Sequence, residues 1–398
     1  MARAMRARRF SERPLRAISV LRNYGVVSKK KFEDRLESLQ DFLHSRDIPA
    51  TFSCPSNLLG ESTKLIDFLR GHDAAIHGLM HTDYKGLPSD TIREHVLESV
   101  SDFKKKGLQP NGFRAPYLRW NTDLLRALRS AGLTYDSSSS VLWDASIGRG
   151  LVRNQVSDLL SFYGSKLESN CPSLPKIVEG VVQLPVSLPD DEILVERLRI
   201  SRSDGMIRFW SSMLRDSHQR RRLLVLQVHP ERFDICQGAL MGLLQQVKER
   251  NAWITSLSGV SSWWKRRCAV EVRIDAERRL DYDDMLGIKM EAGREVFQQG
   301  DRVPAETLVR MTPGHRLYNE ALEIGLVPTR NAEGYHVDDS VRTEEDLMLV
   351  AEKENLLHKS FWPDGHRSAF CLSGDIDALT AMDFVRRPLS RGNRSRGR

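Results

Sequence analysis

Residues 29–46 read KKKFEDRLESLQDFLHSR, and residues 48–54 read IPATFSC. Phe32, Leu36, Leu39 and Leu43 recur every three or four positions and so share one face of a helix, while the run that follows has the length and composition of a short apolar strand. A helix feeding a buried strand is one half of a repeating α/β unit. Working outward, the unit recurs: LIDFLRG precedes DAAIHG (65–78), DTIREHVLESVSDFKKKG (90–107) precedes PNGFRAPY (110–117), and TDLLRALRSAG (122–132) precedes LTYDSSS (133–139). VVQLPVSL (181–188) and LLVLQVHP (223–230) are strand-like, and GALMGLLQQVKER (238–250) is a helix leading into AWITSL (252–257). Helix–strand units of this length predict an α/β fold built on a parallel sheet, open or closed into a barrel.

Around residue 265 the texture changes, and WWKRRC (263–268) is taken as a domain boundary. CAVEVRID (268–275) and MLGIKMEAG (285–293) are short alternating segments rich in charge, which predicts a small α+β region over 266–365. Within it, TEEDLMLVAEKENLLHK (343–359) reads as a helix opened by an acidic first turn. SFWPDGHRSAFCLSGDIDALT (360–380) then returns to a turn and an apolar strand ending in two carboxylates, so 366–384 forms a separate C-terminal strand segment.

The chain has 398 residues and a formal charge of +7. That length suffices for two domains, or for one barrel-sized domain with an appendage. The positive excess is concentrated in MARAMRARRFSERPLR (1–16) and RRPLSRGNRSRGR (386–398), so segments 1–28 and 385–398 are expected as disordered basic tails and nucleic acid is not the expected partner. Five scattered cysteines, none in a Cys-x-x-Cys pair, give no disulfide framework and fit a reducing compartment. No apolar run approaches the roughly 20 residues of a membrane span. No signal-peptide core follows the basic start, because LRAISVLRNYGVV is broken by Arg22 and Asn23. A cytoplasmic protein is the expectation, with an Arg-rich organelle transit segment as the alternative.

Chemistry enters at GHDAAIHGLMHTDY (71–84). His77 and His81 lie four apart, a spacing that on one side of a helical turn presents two nitrogens to one metal ion. The pair directly follows a strand, where parallel sheets carry their functional loops. By itself the spacing is common, and a structural histidine pair is the competing reading.

Four segments in order, IPATF, GHDAAIHGLMHTD, GFRAPYLRWN and LLVLQVHPE, make residues 29–260 resemble the polysaccharide deacetylases, the NodB-like carbohydrate esterases. The resemblance implies a distorted (β/α) barrel over 29–265. It makes His77 and His81 metal ligands, Arg114 the partner of a catalytic carboxylate, the Tyr117 backbone N–H an oxyanion donor and His229 the general acid. Asp190 or Asp191, after the strand at 181–188, is the expected partner of His229. Pro116, Asp190, Asp191 and Trp120 are the expected substrate contacts, Trp120 and Trp143 being able to stack on a sugar ring.

One motif of that family is displaced. Upstream of the first helix, where two aspartates are expected, LRAISVLRNYG (15–25) offers Arg22 and Asn23. FWPDGHRSAFCLSGDIDAL, at the other end of the chain, looks like the missing motif, with Asp375 as base and Asp377 as third metal ligand. Three arrangements follow: a circularly permuted barrel whose C-terminal strand inserts beside IPATF, a truncated second copy or a strand that completes a neighbouring subunit, and an inactive relative with ordinary turn carboxylates.

A His-His-Asp set leaves an open coordination position, as a catalytic divalent metal requires; zinc suits it first, with cobalt, nickel and iron as alternatives. The expected reaction is removal of an acyl group from an N-acylated sugar or glycan precursor. Hydrolysis of a non-sugar amide, or sugar binding without catalysis, are the alternatives.

Overall fold

A computed structural model of the chain describes residues 20, 23–147, 151–283, 287–329, 334–338 and 340–386. The expected tails at 1–28 and 385–398 fall mostly outside these. Residues 23–28 do not: Tyr24 is buried, stacks on Phe32 and meets Phe384 edge-on.

The core of the fold is a twelve-stranded sheet. In chain order its strands are β1 Ala50–Cys54, β2 Asp73–Ile76, β3 Gly112–Phe113, β4 Tyr135–Asp136, β5 Ser140–Leu142, β6 Lys166–Leu167, β7 Lys176–Val178, β8 Val181–Gln183, β9 Val186–Leu188, β10 Leu223–Val228, β11 Trp253–Ile254 and, after the accessory region, Ala369–Asp375. All pairings but that of β7 with β8 are parallel.

The sheet curls back on itself. β4 and β5 are parts of one bent strand, as are β8 and β9, and the Leu184 N–H donates to Asp136 O and the Val186 N–H to Ser139 O across the bend. β9 then pairs with β10 at Leu226 and Ser187. Followed along the chain, the strands therefore close the parallel sheet that the repeat predicts into the distorted barrel that the resemblance implies, with β6 and β7 as flanks.

The strand Ala369–Asp375 lies between β1 and β10, hydrogen-bonded to both, with Phe52 opposite Gly374 and Leu226 opposite Leu372. Every residue of it is buried, as is every residue of β1 and β10. Strands covered on both faces need apolar side chains on both, so these read as runs rather than as alternations.

Helices cover the outside. α1 Lys30–His44 buries Phe32, Leu36, Leu39 and Leu43 against the sheet. α2 Thr63–Arg70 and α4 Thr122–Ser130, which flank α3 Ser89–Lys105, start at Ser62 and Asn121, whose side chains accept the Leu65 and Leu124 N–H. α5 Arg153–Tyr163, α6 Ser203–Gln219 and α7 Phe233–Glu249 complete the layer.

Strand periodicity separates two cores. Leu224, Leu226, Phe370 and Leu372 face the helices, whereas Leu223, Val225, Ala369 and Cys371 face inward. Continuing the inward series toward the strand ends gives Gln227 and His229 on one strand, Ser373 and Asp375 on the other. The barrel interior thus changes from apolar to polar at the carboxyl ends of its strands, where parallel barrels carry their sites.

The inward apolar core continues into the accessory region. That region holds β12 Val272–Ile274 with β13 Leu280–Tyr282, β14 Met290–Ala292 between β15 Glu295–Phe297 and β19 His358–Lys359, and β16 Val309–Arg310 between β17 Pro328–Thr329 and β18 Tyr335–His336. The barrel strand Ala369–Asp375 is therefore β20. A single helix, α8 Leu257–Ala269, runs through the boundary expected at 265. Its apolar and basic residues are the anchor itself: Trp263 Nε1 donates to Phe361 O at 2.8 Å, and Arg267 donates to Ser360 O, Lys359 O and Ile324 O. α9 Tyr318–Glu323, α10 Glu344–Lys353 and α11 Ala381–Arg386 complete the helices named here.

Candidate active site

Carboxyl ends of β2, β3, β10 and β20 converge on one polar cluster. His77 directly follows β2, and the segment from His77 to His81 is an irregular loop rather than the helical turn that the spacing predicts. Gly78 sits at φ +87°, outside helical space, and a Cβ there would come within 2.8 Å of the Tyr84 ring. The Tyr84 hydroxyl accepts the Leu79 N–H at 3.1 Å, which fixes the bend. The loop brings the two imidazoles to a centroid distance of 5.1 Å, and His81 packs edge-on against Tyr117.

Asp377, two residues beyond β20, faces both histidines. Its Oδ1 lies 3.5 Å from His77 Nε2 and 3.1 Å from His81 Nε2. His77 Nδ1–H donates to Arg114 O at 2.8 Å, which leaves Nε2 as the ligating nitrogen. Ligands about 2.0–2.2 Å from a tetrahedral ion stand roughly 3.3–3.6 Å apart, so this donor set fits one divalent cation.

Asp375 is held differently. Arg114, fully buried, donates from Nη1 to Asp375 Oδ1 at 2.9 Å and from Nη2 to Ser137 Oγ at 2.9 Å and Ser373 Oγ at 3.0 Å. Its Nε donates to Ser137 O at 3.1 Å. Gln227 Nε2 donates to the other oxygen, Asp375 Oδ2, at 3.0 Å. A carboxylate that is 3 % exposed is thereby kept paired and oriented.

On the other side of Gln227 stands His229. Its Nδ1 lies 2.7 Å from Asp191 Oδ1, and its backbone N–H donates to Asp191 Oδ2 at 2.9 Å. Burial works against a charged imidazole here, but the Asp191 charge and hydrogen bond outweigh it and raise the His229 pKa well above its ordinary value. Arg232 Nη1 stands 3.0 Å from Glu231 Oε1 and 3.7 Å from Asp191 Oδ2, which places a buried guanidinium beneath the pair.

The expected substrate contacts are distributed otherwise. Asp190 and Asp191, 2 % and 0 % exposed, do not face a substrate. Asp191 is the His229 partner, whereas Asp190 Oδ1 accepts the Ile193 N–H at 2.8 Å and caps the turn that follows. Burial and the Asp191 charge raise the Asp190 pKa. Trp143 is 1 % exposed and is a core residue, out of reach of a sugar, and Trp120 packs partly against the outer core. Pro116 is buried, while Tyr117 and Leu118 adopt successive left-handed conformations at φ 62° and 53°. Two such non-glycine residues in a row are strained backbone beside the site. The Ala115 N–H donates to Ser138 Oγ at 2.8 Å and ties that turn to the end of β4.

Gln227, Ser137, Ser373, Glu231 and Arg232 were not singled out from the sequence. A signal existed for two of them: Gln227 and Ser373 are the polar members of the inward-facing series on otherwise apolar strands.

The family model described as Polysaccharide deacetylase matches residues 24–135. No match to a curated protein was found. Among solved structures, a probable polysaccharide deacetylase from Pseudomonas aeruginosa PAO1 is 15% identical, over 58% of this chain and 73% of that one, with a TM-score of 0.47. A candidate polysaccharide deacetylase from Mycobacterium smegmatis is 21% identical over 58% of this chain and 76% of its own, with a TM-score of 0.45. Puue allantoinase is 15% identical over 58% of this chain and 72% of its own, with a TM-score of 0.44. No helix among the described residues is long and apolar enough to cross a membrane.

Proposed function

We propose, from the match of residues 24–135 to the polysaccharide deacetylase family model, that this chain is a metal-dependent hydrolase that removes the acyl group of an N-acylated sugar. The observation that carries the reading is the meeting of Asp375 and Asp377 with the residues of the other strand ends: Asp377 with His77 and His81, Asp375 with Arg114. In this reading the aspartate motif stands at the far end of the chain as the mark of a circular permutation.

His77, His81 and Asp377 would hold the cation, which when bound would supply polarisation of the acyl carbonyl and acidification of a water. Asp375 takes the proton of the attacking water. Arg114 and Gln227 occupy one direction at each of its oxygens, so the carboxylate is fixed in orientation while free lone pairs remain for that proton. The oxyanion, formed at the acyl carbonyl oxygen as water adds to the carbon, is assigned to the Tyr117 N–H, a donor of the kind worth about 3–4 kcal/mol when well placed. An amine leaves poorly as an anion, and His229, kept cationic by Asp191, protonates its nitrogen.

The test separates binding from chemistry. The wild-type protein is expected to retain about one equivalent of divalent metal and to release acetate from N-acetylglucosamine oligomers. D377N should lose both, whereas D375N should keep the metal and lose roughly 10²–10⁴-fold in kcat. A D375N loss of less than tenfold would overturn the assignment of the base, and absence of stoichiometric metal would overturn the hydrolase reading.

A further inference from the structure

Outside the polar cluster, the end of the β9–α6 connection and the first two turns of α6 form an open cleft of about 740 Å³, lined by Arg199, Arg202, Arg208, Ser201 and Asp204 together with Ile200 and Ile207. All three arginines are exposed. Arg202 stands 3.9 Å from Asp204, while Arg199 and Arg208 form no ion pair with any described residue. Three exposed guanidinium groups around one concavity, with Asp204 as the only carboxylate in its lining, leave a net positive charge there, screened in part by solvent. An anion between them offsets that charge and finds planar donors matched to phosphoryl oxygens.

The position of the cleft in the barrel gives this charge a direction. The segment follows the carboxyl end of β9, so it belongs to the same rim as His77, His229 and Asp375. β9 and β10 are neighbours, and the loops after them supply Asp191 and His229 respectively. The cleft begins eight residues beyond Asp191 along the chain, and Ile200 is tied back to that turn, its N–H donating to Leu194 O at 2.9 Å. Along the chain it therefore adjoins the turn that carries Asp191, the partner of the general acid. The general acid protonates the leaving amine, so the sugar, rather than the acyl group, is bound toward that acid.

We propose that the Arg199–Arg202–Arg208 cleft binds a phosphoryl group carried by the sugar, so that the substrate is a phosphorylated N-acyl sugar. This rests on the hydrolase reading for the orientation of the sugar, but in D375N binding is measured without turnover.

The experiment is calorimetric titration of the metal-loaded full chain with N-acetylglucosamine and with N-acetylglucosamine 1-phosphate, in the wild type, in D375N and in R199E/R208E, each checked for folding by circular dichroism. The wild type and D375N are expected to bind the phosphorylated probe at least tenfold more tightly, and inorganic phosphate to compete with it. R199E/R208E should bind the two probes equally. A titration with UDP-N-acetylglucosamine identifies the source of the phosphoryl group: tighter binding than the monoester assigns a nucleotide sugar, weaker binding a sugar monophosphate. Equal affinity of the wild type for neutral and phosphorylated sugar overturns the proposal, as does a phosphate preference that survives in a folded R199E/R208E variant. A phosphate preference with no release of acetate would uphold the cleft and sink the hydrolase reading; acetate release with no preference would do the reverse.

Discussion

Arg114 and Asp375 are 261 positions apart in the chain and meet at 2.9 Å inside the barrel. β1 and β2 stand between their two strands in the sheet, so the guanidinium spans the interior rather than pairing with a strand neighbour.

Replacing Arg114 should therefore cost both stability and rate. R114M leaves a buried carboxylate without its cation, an imbalance of about 3–5 kcal/mol. Urea denaturation should report a loss of that size, and kcat should fall at least 100-fold because Asp375 loses its fixed orientation. R114K keeps the charge but cannot reproduce the contacts to Ser137 and Ser373, and should lie between the two. A wild-type unfolding curve for R114M would contradict the role.

The His229–Asp191 pair gives a pH dependence with a definite sign. Burial opposes the imidazolium, but Asp191 outweighs it, so the folded-state pKa is raised above the unfolded value. The stability this pair contributes is fully present below about pH 6.5 and is lost as the pH rises through the raised folded value. On the proposed mechanism catalysis needs the same protonated form, so kcat/KM should hold through neutral pH and fall on an alkaline limb. D191N should move that limb to lower pH by at least one unit and flatten the alkaline decline in stability. An unmoved limb in pH–rate profiles would remove His229 from the acid role.

Gly374 tests the insertion of β20. A Cβ at this position would stand 2.6 Å from the Phe52 ring and 2.7 Å from Val228 O, and the second contact is with backbone that cannot swing aside. G374A is expected to cost about 1–3 kcal/mol by overpacking. The neighbouring Asp375 should shift with it, so the loss in kcat should exceed what the remaining folded fraction explains. Full activity per folded molecule would argue that the site tolerates movement of the strand.

What the sequence made legible follows the physical range of each signal. The helix at 30–44 and the buried runs of β1, β10 and β20 were readable because burial on a face or on both faces is written in local periodicity. The His77–His81 pair was readable as a pair but not in its conformation, which depends on the left-handed Gly78 and on Tyr84. Asp190 and Asp191 could not be told apart, since the division into cap and imidazole partner depends on β9 lying beside β10. Arg267 shows the same limit in the accessory region: WWKRRC reads as a charged break, yet the guanidinium is buried against carbonyl oxygens supplied by residues 324, 359 and 360.

The central place of β20 has a consequence for how the protein is made. While a ribosome is still translating the accessory region, β1 and β10 have both emerged, and each presents a bare hydrogen-bonding edge to the gap between them. Such edges invite pairing with other nascent chains, so chaperone protection during synthesis matters more here than for a barrel closed in order. The same geometry bears on function: until residue 377 leaves the exit tunnel, His77 and His81 lack the carboxylate that faces them, and on the proposed function a prematurely terminated product would be inactive.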